Sequence, residues 1–315
     1  MNQEVGVSTE VSTAQPAAAA SNAAHGASEG HAEVQQTVVS REGSIGRILL
    51  EMGKITPEDA EQIMRVQREK DMRFGEAAQH LGLVTEADIQ EVLAHQFDYP
   101  YLHPGHSKYP VELVAAFHPF SVHVETLRAV RSQLMLRWFA NGSRALVVAS
   151  VNSGEGASFL AANLAIVFSQ LGEHTLLVDA NLRTPRQHKL FALDGRQGLS
   201  DILAGRAGLD AIARAEGFVD LSILPAGTLP PNPQELLART SFADLNEQLC
   251  KHYDVVLYDV SDFSTSADAL AIASRVGGVL LAARKDKTAI ADISTVNEQV
   301  QRSNAEIVGS VLLEF

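Results

Sequence analysis

The sequence predicts an α/β fold: a mostly parallel sheet with helices on both faces, preceded by a small helical repeat module. Three observations carry that prediction. From Ser121 to the C-terminus, near-continuous apolar runs alternate with stretches of helical period, the pattern of parallel strands buried on both faces. Directly after the first run comes VNSGEGASFLAANLA (151–165), a glycine-rich turn that leads into a helix. Ahead of both, IGRILLEMGKITPEDAEQIMRVQ (45–67) aligns without gaps on FGEAAQHLGLVTEADIQEVLAHQ (74–96).

Composition narrows the class. A chain of 315 residues with 46% apolar content accommodates one large domain and a small one. A formal net charge of −13 argues against a nucleic-acid partner held by phosphate neutralisation. The single cysteine, Cys250, excludes an intramolecular disulfide and offers no zinc cluster. No apolar run reaches the roughly 18 to 20 residues that span a bilayer. The N-terminus has neither a basic n-region nor a compact apolar h-region, so a cytoplasmic protein is expected.

Residues 1–40 contain no Lys, Arg or aromatic residue and are expected to form a disordered tail. The helical module is assigned to 41–104. In its two copies Gly46 matches Gly75, Gly53 matches Gly82, Thr56 matches Thr85, Asp59 matches Asp88 and Gln67 matches Gln96. Each copy reads as a short helix, a glycine turn and a second helix opened by Thr-x-x-Asp. There the hydroxyl caps an orphan N–H and the carboxylate favours the positive end of the helix. Ile63, Met64, Val92 and Leu93 supply the apolar stripe.

Residues 105–120 are read as a linker, continuing the Pro-, Gly- and His-rich YPYLHPGHSKYP (99–110). Its Tyr99, Tyr101 and Tyr109 suit aromatic staples, with phosphoacceptors in an exposed linker as the alternative, and His103 and His106 lack the further ligands of a metal site. The main domain is assigned to 121–315. Strands are predicted at 145–151, 175–180, 221–227, 254–260, 278–284 and 307–313.

In such a sheet, ligands sit at the carboxyl ends of the strands. Gly154 and Gly156 let the backbone approach phosphates, and the helix that follows presents free N–H groups and a positive dipole end. Ser158 occupies the position whose hydroxyl reaches Mg²⁺. Asp179 in LLVDANLR and Asp259 in VVLYDVSD end two other strands. A hydroxyl and two carboxylates suit a hydrated Mg²⁺; the plainer alternative is that both aspartates only cap helices. Taken in order, the three segments indicate a P-loop-type nucleotide domain, although Ala157 stands where such loops carry Lys.

On these segments the domain resembles the bacterial tyrosine kinases of exopolysaccharide clusters, most closely the chain-length-determinant kinases of the EpsG type. Glu125, Arg128 and Arg131 in VETLRAVRSQLMLRW match that family's Glu-x-x-Arg-x-x-Arg oligomerisation motif. HKLFALDGRQGLSDILAG (188–205) and LPAGTLPPNPQELL (224–237) match further segments. The repeat is similar to the helical modules that precede secretion and pilus ATPases, some of which bind cyclic di-GMP. The Arg usual in that motif is absent here, where Ser44 precedes Ile45.

The resemblance implies Mg-ATP as cofactor, bound by Gly154, Glu155, Gly156, Ala157, Ser158, Phe159 and Arg183. It implies Ser158, Asp179 and Asp259 as metal ligands, with Asp179 and Asp259 as the catalytic carboxylates. It further implies a homo-oligomer built through Glu125, Arg128 and Arg131. The implied partner is a membrane chain-length determinant (polysaccharide co-polymerase), which would hold the chain peripherally at the inner membrane. Several positions depart from the family: Ala157 replaces Lys, Asn181 replaces Asp, Val-Ser-Asp follows Asp259, Leu313 takes the place of an adenine-binding Asn, and no tyrosine follows Tyr258. The expectation is therefore a kinase-like regulator of polysaccharide chain length or export, weak or inactive as a kinase. The alternatives are a working tyrosine autokinase of the same system and, third, a MinD- or partitioning-type ATPase, against which Asn152 stands where those enzymes carry an additional Lys.

Overall fold

The computed structural model describes residues 45–96, 102 and 107–314. The expected tail, Tyr99, Tyr101, His103 and His106 lie outside the described residues.

The repeat folds as four helices, Ile45–Glu51, Pro57–Lys70, Phe74–His80 and Glu86–Gln96. Both Thr-x-x-Asp segments form reciprocal caps. Asp59 N–H donates to Thr56 Oγ1 (3.2 Å) while Thr56 N–H donates to Asp59 Oδ2 (2.9 Å). In the second copy the same two bonds measure 3.2 and 2.8 Å between Thr85 and Asp88. Lys54 joins the copies by reaching Asp88 (2.7 Å) and Glu91 (3.3 Å). Its hydrogen bond, then that of Thr85, holds the Asp88 carboxyl below its usual range, at about 2. Ile63 and Val92 are buried in one core with Leu49, Ala77 and Ala78, and Met64 and Leu93 are half-buried. Gly46 lies against the Phe74 ring and Gly75 against Ile89, so the repeated glycines mark close helix approaches. Thr85→Ala should cost about 1 kcal/mol of local stability. Amide exchange across 86–96 in the full chain should then quicken roughly fivefold, and unchanged exchange would remove the cap from the account.

The expected linker is narrower than 105–120. From Ser107 the chain is packed on the main domain, with a helical turn at Val114–Phe117 and Tyr109, Leu113, Ala115, Ala116 and Phe117 buried. The physical reason is anchoring from both sides. Tyr109 donates its hydroxyl to the Glu216 carbonyl (2.9 Å) and its ring meets Phe191 and Phe218. Asn163, fully buried, accepts the Ala115 N–H (2.9 Å) and donates to the Glu112 carbonyl (3.0 Å).

Seven strands form one sheet: β1 (Ala145–Ser150), β2 (Thr175–Asp179), β3 (Ala213–Arg214), β4 (Leu221–Leu224), β5 (Val255–Asp259), β6 (Gly278–Arg284) and β7 (Glu306–Leu313). Their order is β3-β4-β2-β5-β1-β6-β7, all parallel except the β3–β4 pair. Six match the apolar runs; β3, a two-residue edge strand, has no such signal. Residues alternate between the two faces. Leu146, Val148, Leu177 and Leu257 enter one core, and Val147, Ala149, Val178 and Val256 the other, so both faces are covered.

The helix Ala157–Ser169 is apolar all round and almost wholly buried, as befits a central helix between the sheet and the outer helix Val122–Arg137. Trp138, at the end of that outer helix, donates Nε1–H to the Ala145 carbonyl (2.8 Å). Cys250 is half-buried, and burial raises its thiol pKa. Gly198 and Gly227 bring two loops together: a Cβ on Gly198 would run into the Pro225 carbonyl, and one on Gly227 into the Gly198 backbone.

Candidate nucleotide and metal site

The site lies at the carboxyl ends of β1, β2 and β5, three neighbouring strands. After β1 the chain turns through Gly154 (φ 76°) and Gly156 (φ 92°), left-handed conformations that favour glycine. Gly156 caps the helix Ala157–Ser169, whose first N–H groups have no intrahelical acceptor. Glu155, expected among the nucleotide contacts, has its side chain turned inward and fully buried. Its carboxylate accepts Asn152 N–H (2.9 Å), Asn152 Nδ2–H (3.1 Å) and the Thr288 hydroxyl (2.6 Å). It braces the loop from behind.

Asp179 and Asp259 sit opposite one another in the β2–β5 register, and both are fully buried. Asp179 Oδ2 accepts the backbone N–H groups of Arg186 (2.9 Å) and Gln187 (2.8 Å), while its Oδ1 is buried without a partner. Asp259 Oδ1 accepts the Ser158 hydroxyl (3.1 Å) and Oδ2 accepts Gln187 Nε2–H (2.7 Å). The same amide also donates to the Ser158 carbonyl (3.1 Å). Burial drives both carboxyl pKa values up, and for Asp179 the neighbouring charge of Asp259 adds to the rise. The helix-capping reading of Asp179 thus holds for one oxygen and fails for the other. Two buried carboxylates with a hydroxyl beside them and one unsatisfied oxygen call for a proton or a cation. That donor set fits the Mg²⁺ which Ser158, Asp179 and Asp259 were expected to hold.

A cavity of about 660 Å³ adjoins the loop. Gly154, Gly156, Phe159, Arg186 and Glu112 line it, together with an apolar wall that includes Leu127, Val130, Val311 and Leu313. Leu313, the position of the missing adenine-binding Asn, therefore does reach the pocket, as an apolar surface.

Arg183 has a different task from the one expected. Its guanidinium makes a bidentate pair with buried Asp268 (Nε–Oδ2 2.6 Å, Nη2–Oδ1 3.2 Å), tying the turn after β2 to the helix Asp268–Val276. Asn181 forms a local turn by accepting the Thr184 N–H (3.0 Å). Glu125, exposed, pairs with Arg128 (3.0 Å), and Arg131 Nη1 donates to the Val167 carbonyl (2.7 Å).

Two site residues escaped the sequence reading: Gln187, which links Ser158, Asp179 and Asp259, and Arg186. Both follow Pro185 at the start of the short helix Gln187–Leu190. A Pro-terminated turn after a strand-end Asp is the one local signal for N–H groups free to meet that carboxylate.

A family model for the cellulose biosynthesis protein BcsQ matches residues 143–292. A Klebsiella pneumoniae protein named as a tyrosine-protein kinase in the cps region is 32% identical over 260 residues, covering 79% of this chain and 35% of its own length. Tyrosine-protein kinase YwqD of Bacillus subtilis (strain 168) is 30% identical over 200 residues, covering 64% of this chain and 84% of its own. Among solved structures, the chimerical protein CapA2B2 matches with a TM-score of 0.60 at 31% identity, over 70% of this chain and 97% of that one. The chain thus spans about a third of the Klebsiella relative and most of YwqD.

Proposed function

Since the chain belongs to the bacterial tyrosine-protein kinase family of capsule and exopolysaccharide clusters, we propose that it binds Mg-ATP and regulates polysaccharide chain length or export as a kinase-like protein whose own phosphoryl transfer is weak or lost. One observation carries this reading. Ser158 bonds Asp259, Asp259 stands opposite buried Asp179 whose Oδ1 has no partner, and the first residue of the loop helix is Ala157, which brings no charge.

The magnitudes separate binding from transfer. A charged hydrogen bond to phosphate is worth about 1.5 to 3 kcal/mol, which the N–H groups of the loop and a divalent cation can partly replace. Phosphoryl transfer depends on positive charge placed for the transition state, and removing one such donor costs about 10²- to 10³-fold. In this site Gly154 and Gly156 would take the phosphates, the Leu127, Val130, Val311 and Leu313 wall would enclose the base, and Asp179 and Asp259 would hold the metal. Bound Mg²⁺ would neutralise phosphate charge. The Gln187 amide ties the Ser158 carbonyl to Asp259.

Among the described residues no helix is long and apolar enough to cross a membrane. The proposal places the chain on the cytoplasmic side, docked to the tail of a membrane polysaccharide co-polymerase and self-associated through the helix that carries Glu125, Arg128 and Arg131. The polysaccharide assignment is supported by the names of both the kinase relative in the cps region and the BcsQ family. Titrating the full chain with Mg-ATP, then probing phosphotyrosine with the co-polymerase tail present, tests the reading. Binding with little or no transfer is the expected result. Robust transfer would establish an active autokinase instead, and no binding at millimolar ATP would overturn the nucleotide role.

A further inference from the structure

We propose that Arg186 is the phosphate-binding cation of this site, supplying from the turn after β2 the positive charge that Ala157 does not. The inference rests on the nucleotide-binding reading above and deepens it.

Arg186 is the sole Lys or Arg among the described residues that line the 660 Å³ cavity, which it shares with Gly154, Gly156 and Phe159. Its backbone is anchored at the acid pair, because its N–H donates to Asp179 Oδ2 (2.9 Å). The guanidinium is tied by Nη2 to Glu112 Oε1 (2.6 Å), and Glu112 also lines the cavity. Both side chains are close to half exposed, 43% and 46%, so the guanidinium can turn toward a phosphate without repacking the core. Glu112 is itself held in place, since Asn163 Nδ2–H binds its carbonyl (3.0 Å).

The chemistry follows from these positions. A guanidinium presents paired donors that match phosphate oxygens. An exposed carboxylate–guanidinium pair is weak, so a polyphosphate carrying several negative charges displaces Glu112 and takes the guanidinium. Glu112 then acts as a counter-charge that the nucleotide must replace. It opposes binding and keeps Arg186 near the cavity when the site is empty. Arg183 cannot serve this way, because buried Asp268 would lose its charge partner.

Calorimetric titration of the full chain with Mg-ATP and with adenosine tests the assignment. Arg186→Ala should weaken Mg-ATP binding roughly 10- to 100-fold and leave adenosine binding unchanged. Arg186→Lys should recover part of the loss. Glu112→Gln should tighten Mg-ATP severalfold, and the gain should vanish when Arg186→Ala is added. If the parent chain binds Mg-ATP and Arg186→Ala binds it equally well, the assignment is overturned while the nucleotide reading stands. If the parent binds neither ligand, the nucleotide reading fails and this assignment falls with it. Melting curves check each fold, and Arg186→Gln, which keeps most of the side-chain bulk, repeats the measurement should alanine disturb the turn.

Discussion

Ala157→Lys should strengthen Mg-ATP binding by roughly 10-fold or more and raise tyrosine phosphorylation by about 10²- to 10³-fold. The two effects differ because the added ammonium meets both bound phosphates and the charge that develops on the transferring group. Ala157 opens the helix Ala157–Ser169 directly after Gly156, and Gly156 lines the cavity. A Lys there has a flexible stem that lets its head reach toward the phosphates beside Gly156. Titration and phosphotyrosine detection on the same preparation separate the outcomes. Tighter binding without faster transfer would locate the defect elsewhere, at Asn181 or in the segment after Asp259. Unchanged affinity would mean that phosphates do not bind at this loop.

Without nucleotide or divalent cation, the protein should lose stability as pH rises from the ordinary carboxylate range toward 8, and Asp179→Asn should abolish most of that loss. The sign follows from where the proton resides. An unfolded Asp titrates near 3.9, whereas burial and then the Asp259 charge push folded Asp179 up to about 8. A group with a raised folded pKa contributes its stability in full below the unfolded value and loses it as pH rises through the folded one. Asparagine stays neutral, and its oxygen can still accept the Arg186 and Gln187 N–H groups that now bind Oδ2. At pH 8 the variant should therefore exceed the parent by about 2 kcal/mol or more. Magnesium should raise the parent's melting temperature at that pH and leave the variant's nearly unchanged. Melts from pH 5 to 9, with and without the ion, decide the matter. A parent curve that tracks the variant's throughout would show that the two carboxylates do not share a dry site.

The elements legible in the sequence share one property: their signal and their structure are both local. Six apolar runs form strands, starting within one residue and ending within three of the expected bounds, because burial on both faces selects continuous Val and Leu runs. Thr56 and Thr85 became caps because their partners lie three residues on. Gly154 and Gly156 turn the chain after β1, and Asp179 and Asp259 end β2 and β5, where strand ends and a glycine turn are written in consecutive residues. Strand β3 was invisible, since a two-residue antiparallel edge has no period to read. The connector was drawn too wide because the burial of Tyr109 and Leu113 depends on residues about 50 to 100 positions away, such as Asn163 and Glu216.

The division is sharpest in the turn after β2, where NLRTPRQ carries two arginines three residues apart. The sequence by itself determined that a glycine-rich turn and two strand-end carboxylates lie at the carboxyl ends of parallel strands, and that the turn has no lysine. Only the tertiary structure decided which arginine faces the cavity. Asp268, 85 residues downstream, binds Arg183, Asp179 draws in the backbone of Arg186, and Glu155 turns inward to Asn152 and Thr288. Side-chain direction at such a site is set by which charges burial brings within hydrogen-bonding range, and for Arg183 and Glu155 those partners include residues 85 and 133 positions away.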